Sequence, residues 1–188
     1  MDAAREHPVL VTVGHGTLDS DGLGALLQDA GVRRLVDVRR FPGSRTNPAA
    51  KRPALEDMAA DRGVDYRWDE RLGGRRRLAP DEPGPDSWWR VAQFRAYAAW
   101  TRTPDFRAGL ERLLDDVRAA RTAVMCSESV WWRCHRRLVA DVVLAEQDVP
   151  VLHLMHDGRL TPHTVSDGAR AGEDGRLVWD GPPGPGDS

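Results

Sequence analysis

Short apolar runs alternate with segments of helical spacing along most of this chain, and that alternation restricts it to an α/β fold built on a parallel sheet. Val9 to Gly14 is a strand-length apolar run that ends in Gly14-His15-Gly16. Leu18 to Ala30 has helical spacing, Gly31 stops it, and Arg33 to Arg39 is a second strand, so the three make a βαβ unit. Pro53 to Arg62 predicts a helix closed by Gly63, and Val64 to Trp68 a third strand. Helices are expected over Trp88 to Trp100 and Pro104 to Ala120; in the second, Phe106, Leu110, Leu113, Leu114 and Val117 form one apolar stripe. Thr122 to Met125 is the next apolar run, Val130 to Gln147 is amphipathic, and Val149 to Met155 is the last strand. Right-handed crossovers need covered faces, so the expectation is a mostly parallel sheet of about five strands with helices on both sides.

With 188 residues, 40% of them hydrophobic, the chain has the size of one domain with a real core. Residues 1–8 read as an N-terminal extension and 9–167 as the single α/β domain. The Gly/Pro/Asp-rich stretch 168–188 reads as a weakly ordered tail. Leu72 to Asp86, rich in Gly, Pro and charge, reads as a long mobile loop.

The 27 basic residues nearly balance 29 acidic ones, for a net charge of -2, so no bulk field draws the protein to nucleic acid or a membrane. Any anion site must be local. Lys51 is the only lysine, so arginine abundance alone says little about phosphate. Two cysteines cannot make a disulfide scaffold. No segment reads as a signal peptide or a membrane span, and a reducing cytoplasm is the expected setting, with no membrane partner.

Chemistry concentrates in eleven residues, Cys126 to Arg136, which hold both cysteines, Glu128, Arg133, His135 and Arg136. The cluster lies where a strand hands over to a helix, and open α/β sheets keep ligand sites at such carboxyl edges. Gly14-His15-Gly16-Thr17 follows the first strand, and Asp37 and Arg39 to Arg45 end the second, so three clusters should converge there. A helix amino end stabilises a thiolate, which makes Cys126 a candidate nucleophile; the alternative is an inert strand-end residue. At about 100° per residue, His135 shares the inward face of Leu138, Val139 and Val142, while Arg133 and Arg136 point elsewhere. Cys134, at the edge of that face, reads as packing. The layout resembles the anion loops of rhodaneses and cysteine phosphatases. The six residues between Cys126 and Arg133, however, are one more than the phosphatase loop has.

Asp37 and Arg39 share a strand face, with Arg40 opposite. They serve either to orient His15 and clamp an anionic group or as an internal ion pair pinning the loop. Arg45 is a further anion contact. Arg75-Arg76-Arg77 offers phosphate contacts or a solvated charge run, and Trp88-Trp89 and Trp131-Trp132 offer base stacking or packing. A metal is not expected: Cys134 and His135 diverge on a helix, and a site would need His15, His153, His156 or His163 as well. No cofactor is expected either.

The chain also resembles the "domain of unknown function 488" family. The matching residues are Thr12 to Gly16, Leu35 to Arg39 with Pro42 and Ser44, Tyr66 before Leu72-Gly73-Gly74, and Phe94 with Tyr97-Ala98. They continue with Met125 to Glu128, Cys134-His135-Arg136, His153 and Pro162-His163. The resemblance runs from Val9 to Arg170 and implies an α/β fold without an assigned activity. Gly16 stands where the family usually has serine, so that position supplies no hydroxyl nucleophile.

Three functions remain open. The first is an enzyme in which Cys126, with His15, His135 and Glu128, processes a small anionic substrate, a nucleotide among the candidates. Asp37, Arg39, Arg45, Arg133 and Arg136 would hold that substrate. The others are a nucleotide or nucleic-acid binding module with a structural cysteine, and a metal-supported domain.

Overall fold

Residue parity along the strands decides which side of the sheet each side chain serves. The computed structural model describes residues 8–79 and 84–182. Its sheet has six strands in the order β3-β2-β4-β1-β5-β6. These are β1 (Leu10–Gly14), β2 (Arg34–Asp37), β3 (Asp65–Trp68), β4 (Thr122–Cys126), β5 (Val151–Leu154) and β6 (Leu160–Pro162). The first five run parallel, and β6 returns antiparallel at the edge. The sequence reading missed β6 because it is three residues long and ends in Pro162, which only an edge strand tolerates.

Val11, Val13, Leu35, Ala123 and Met125 face one layer, packed by α1 (Ser20–Asp29) and α2 (Arg52–Asp61). Leu10, Val36, Val38, Val124 and Cys126 face the other, packed by α3 (Ala92–Trp100), α4 (Pro104–Ala119) and α5 (Arg136–Gln147). The alternation therefore delivers the strand-end thiol to the three-helix side. The α4 stripe of Phe106, Leu110, Leu113, Leu114 and Val117 is buried there as expected. Among the described residues, no helix is long and apolar enough to cross a membrane.

Three sequence expectations need correction. Helix α3 begins at Ala92 rather than Trp88, because the Trp88 amide bonds the Trp179 carbonyl at 3.0 Å and Trp89 packs into the core. The tail read as weakly ordered carries a hairpin, β7 (Ala169–Ala171) with β8 (Leu177–Trp179), whose Trp179 is fully buried. Composition hid this, since one large anchor outweighs many glycines once its indole fills the core. The loop from Leu72 is held at its start: Leu72 is buried, and Arg76 stacks 3.7 Å over Trp100 and bonds the Gly73 carbonyl. Residues 80–83 of that loop, 1–7 of the amino-terminal extension and 183–188 of the tail lie outside the described residues.

Candidate functional site

The parallel register brings the three polar clusters to one edge. Gly14 pairs with Cys126 and Asp37 with Met125, while the His15 amide bonds the Cys126 carbonyl at 2.9 Å. Gly14 permits the closest approach. A Cβ there would lie 1.9 Å from the Glu128 carbonyl oxygen and 2.8 Å from Arg136 Nη2, so any larger residue would push the loop after β4 off the sheet.

Cys126 Sγ and Cys134 Sγ touch at 2.7 Å, both buried and both free. Arg136, only 1% exposed, donates through Nε to Cys126 Sγ at 3.1 Å and through Nη2 to the Glu128 carbonyl. His135 Nδ1 lies 3.4 Å from Cys134 Sγ, and Nε2 lies 3.2 Å from the Val38 carbonyl. A carbonyl only accepts, so Nε2 carries a proton, and Nδ1 is the ring nitrogen that faces the Cys134 thiol. The ring sits against Tyr97 and against Gly74, where a Cβ would come within 2.8 Å of Nδ1.

This geometry overturns the helical phasing expected for the segment. A single helix does not follow β4. Instead, a 3-10 turn (Trp131–Arg133) leads to an extended Cys134, and His135 caps α5. Outside the helix, Cys134 and His135 are free to converge. Arg136 opens α5 on the same side as Val139, Ala140 and Val143, all buried, and so turns inward toward the thiol rather than toward a substrate.

The two sulfurs titrate as one system. Burial and the adjacent Cys134 sulfur push Cys126 well above the ordinary thiol range. Burial opposes ionisation of Cys134 too, but the hydrogen bond from Cys126 and the charges of His135 and Arg136 hold it well below that range. The first proton therefore leaves Cys134, and Cys126 keeps the second and donates it to the thiolate.

Behind Arg136 runs a buried polar chain. Its Nη1 lies 3.4 Å from Thr12 Oγ1, and Thr12 Oγ1 lies 2.7 Å from His153 Nδ1. His153 Nε2 is 3.0 Å from His163 Nδ1, and His163 Nε2 is 2.8 Å from Asp141 Oδ1. Asp141 also accepts the Ser166 amide and the Trp179 indole N–H. Burial, with the charges of His163 and Arg136, drives the His153 pKa down to about 3. Trp131 covers that ring, stacked at 3.9 Å. The sequence reading left this role out for Thr12, Asp141, His153 and His163. The available signal was Asp141 itself, a carboxylate inside the apolar run Val139 to Val143.

Asp37 and Arg39 form an internal clamp. Arg39 spends all five N–H groups, on both Asp37 oxygens, the Ala50 and Pro42 carbonyls and His15 Nε2, and Tyr66 donates to Asp37 at 2.8 Å. Neither keeps a group for a ligand, because the pair is needed to pin the loop to Ala50. His15 donates from Nδ1 to the Gly16 carbonyl, and burial lowers its pKa. It lines a neighbouring cavity with Arg45 rather than the one at the thiols. Glu128 reaches the thiol through its backbone carbonyl, and its carboxylate is exposed at the rim.

The thiols open into a cavity of about 440 Å³. Arg40, Arg75 and Arg133 line it with Phe41, Phe94, Tyr97 and His135. Among the described residues, Cys126 Sγ, Cys134 Sγ and a His135 ring nitrogen are the one group of ligand atoms spaced for a metal ion, all within 4.8 Å. The donors suit a soft cation, but the Arg136 guanidinium already occupies one sulfur's hydrogen-bonding side.

A family model described as "Domain of unknown function DUF488" matches residues 21–143. The chain belongs to this DUF488 family. The match spans both cysteines, His135, Arg136 and Asp141, while His15, His153 and His163 lie outside it. No curated protein and no solved structure gives a significant match. Family membership therefore fixes ancestry and leaves the chemistry to be argued from the site.

Proposed function

We propose that this DUF488 protein is a thiol-dependent enzyme acting on a small anionic substrate, with Cys134 and Cys126 as its reactive pair. One observation carries the reading: two thiols in contact, one facing a histidine ring nitrogen and the other a buried guanidinium, at the base of an arginine-lined cavity. Cys134 is the nucleophile, which exchanges the role first expected of Cys126. His135 Nδ1 takes its proton, Nε2 stays bonded to Val38, and Cys126 donates to the thiolate. Arg136 holds Cys126, and Arg133, Arg75 and Arg40 attract the anion. The volume suits a small molecule rather than a polymer. Of the groups offered to nucleic acid, Trp89 packs in the core, Trp131 covers His153 and Arg76 stacks on Trp100, while Trp132 is exposed.

The test compares labelling by iodoacetate with labelling by neutral iodoacetamide. Cys134 should take the anionic reagent at least tenfold faster, relative to free cysteine, and the preference should collapse in Arg133→Ala and in high salt. Equal labelling by both reagents, unchanged by Arg133→Ala, would refute anion selection.

A further inference from the structure

We propose that Cys126 and Cys134 work as a two-electron redox couple that reduces a small anionic disulfide and closes a disulfide between themselves. The inference rests on the thiol-enzyme reading and names its reaction class. A nucleophilic enzyme that transfers a phosphoryl or acyl group needs one thiol. Here a second sulfur touches the first, and any adduct on Cys134 would form against it. The side chains hydrogen-bonded to the sulfurs are His135 and Arg136, and the Glu128 carboxylate is exposed at the cavity rim, where it accepts from the Val130 amide. A thiolate, with a pKa of about 8.5, is a good leaving group and asks only for the proton that His135 has taken.

The steps balance. His135 takes the Cys134 proton, and the thiolate attacks one substrate sulfur, forming a mixed disulfide and expelling the other half as a thiolate that takes that proton. Cys126 then loses its proton and attacks Cys134 Sγ, which breaks the mixed disulfide, frees the second half as a thiol and leaves the Cys126–Cys134 disulfide. The substrate gains two electrons and two protons, and the pair loses them. A cellular dithiol restores the reduced pair by the reverse exchange. Arg136 serves both directions, stabilising the Cys126 thiolate as attacker and as leaving group. The chain has no third cysteine, so no other disulfide within it competes.

The experiment uses full-length protein, reduced, chelator-treated and desalted, then mixed anaerobically with glutathione disulfide as the anionic probe. Wild type should release two equivalents of glutathione, lose two hydrogens in intact mass and yield a peptide cross-linked between Cys126 and Cys134. Cys126→Ser should stop at a mixed disulfide on Cys134 with one equivalent released, and Cys134→Ser should form far less adduct. A dithiol that persists in excess glutathione disulfide while iodoacetate still labels Cys134 selectively would overturn the redox couple and leave the thiol enzyme standing. Inertness to both reagents would overturn both. Adducts on the two cysteines with no cross-link in wild type would also overturn the couple.

Discussion

Arg136 bridges Cys126 and Thr12 from inside the core, with Nε at 3.1 Å from the sulfur and Nη1 at 3.4 Å from the hydroxyl. One guanidinium thereby ties the thiol pair to the chain of Thr12, His153, His163 and Asp141. Lysine, a single point charge, cannot hold both contacts and the Glu128 carbonyl at once. Arg136→Lys should slow alkylation of Cys134 at neutral pH by about tenfold, the equivalent of roughly 1.4 kcal/mol in thiolate stability. Timed labelling on a variant whose circular dichroism matches wild type measures it.

Stability should fall with acid because of the buried histidines. His153 is held neutral in the fold, with a pKa of about 3, and His15 is also lowered by burial. Unfolded histidine takes a proton near pH 6.5, so below that value the unfolded chain binds more protons than the folded one. The His153 contribution is fully present above about pH 6.5 and is lost as pH drops toward the folded pKa, at up to about 1.4 kcal/mol per pH unit, and His15 acts in the same direction. Urea midpoints from pH 7.5 to 4.5 should show the fall, and His153→Gln should flatten it.

The hairpin should be part of the folding unit. Trp179 is fully buried and gives its indole N–H to Asp141 at 2.9 Å. Trp179→Ala should cost about 3–5 kcal/mol in urea unfolding. Trp179→Phe, which keeps most of the packing but leaves Asp141 short of a donor, should cost about 1–3 kcal/mol.

The two kinds of arginine should separate cleanly. Arg39→Met strands the buried Asp37 charge and should destabilise by about 3–5 kcal/mol. Arg133→Ala, at an exposed position on the cavity, should change stability by less than about 0.5 kcal/mol while abolishing the preference for anionic reagents.

Much of the frame was written plainly in the chain. Strand parity and helical stripes gave the parallel sheet, and the carboxyl-edge rule correctly joined Gly14, Asp37 and Cys126. What escaped depends on distance in sequence or on one residue of phase. Whether Val130 or Arg136 begins the last helix decides whether His135 or Arg136 turns inward, and periodicity cannot settle a start that a 3-10 turn delays. Thr12 and His153 stand 141 positions apart, so no local pattern announces their bond. Trp179 lay in a stretch whose glycines and prolines masked its anchoring role.

Soft divalent ions should inhibit. The donor atoms of Cys126, Cys134 and His135 lie within 4.8 Å, so zinc or cadmium should occupy them and protect both thiols from alkylation until a chelator is added. Protection that survives Cys134→Ser would place the ion elsewhere.

The most direct measurement is the pH dependence of iodoacetamide labelling in the native protein, with the modified cysteine located by mass spectrometry. A reactive pair predicts that Cys134 is labelled first, with an apparent pKa below the free-thiol value of about 8.5, and that Cys126 follows only at higher pH. If Cys126 reacts first, or both sulfurs stay inert until the protein unfolds, the assignment of Cys134 as the working thiol is wrong.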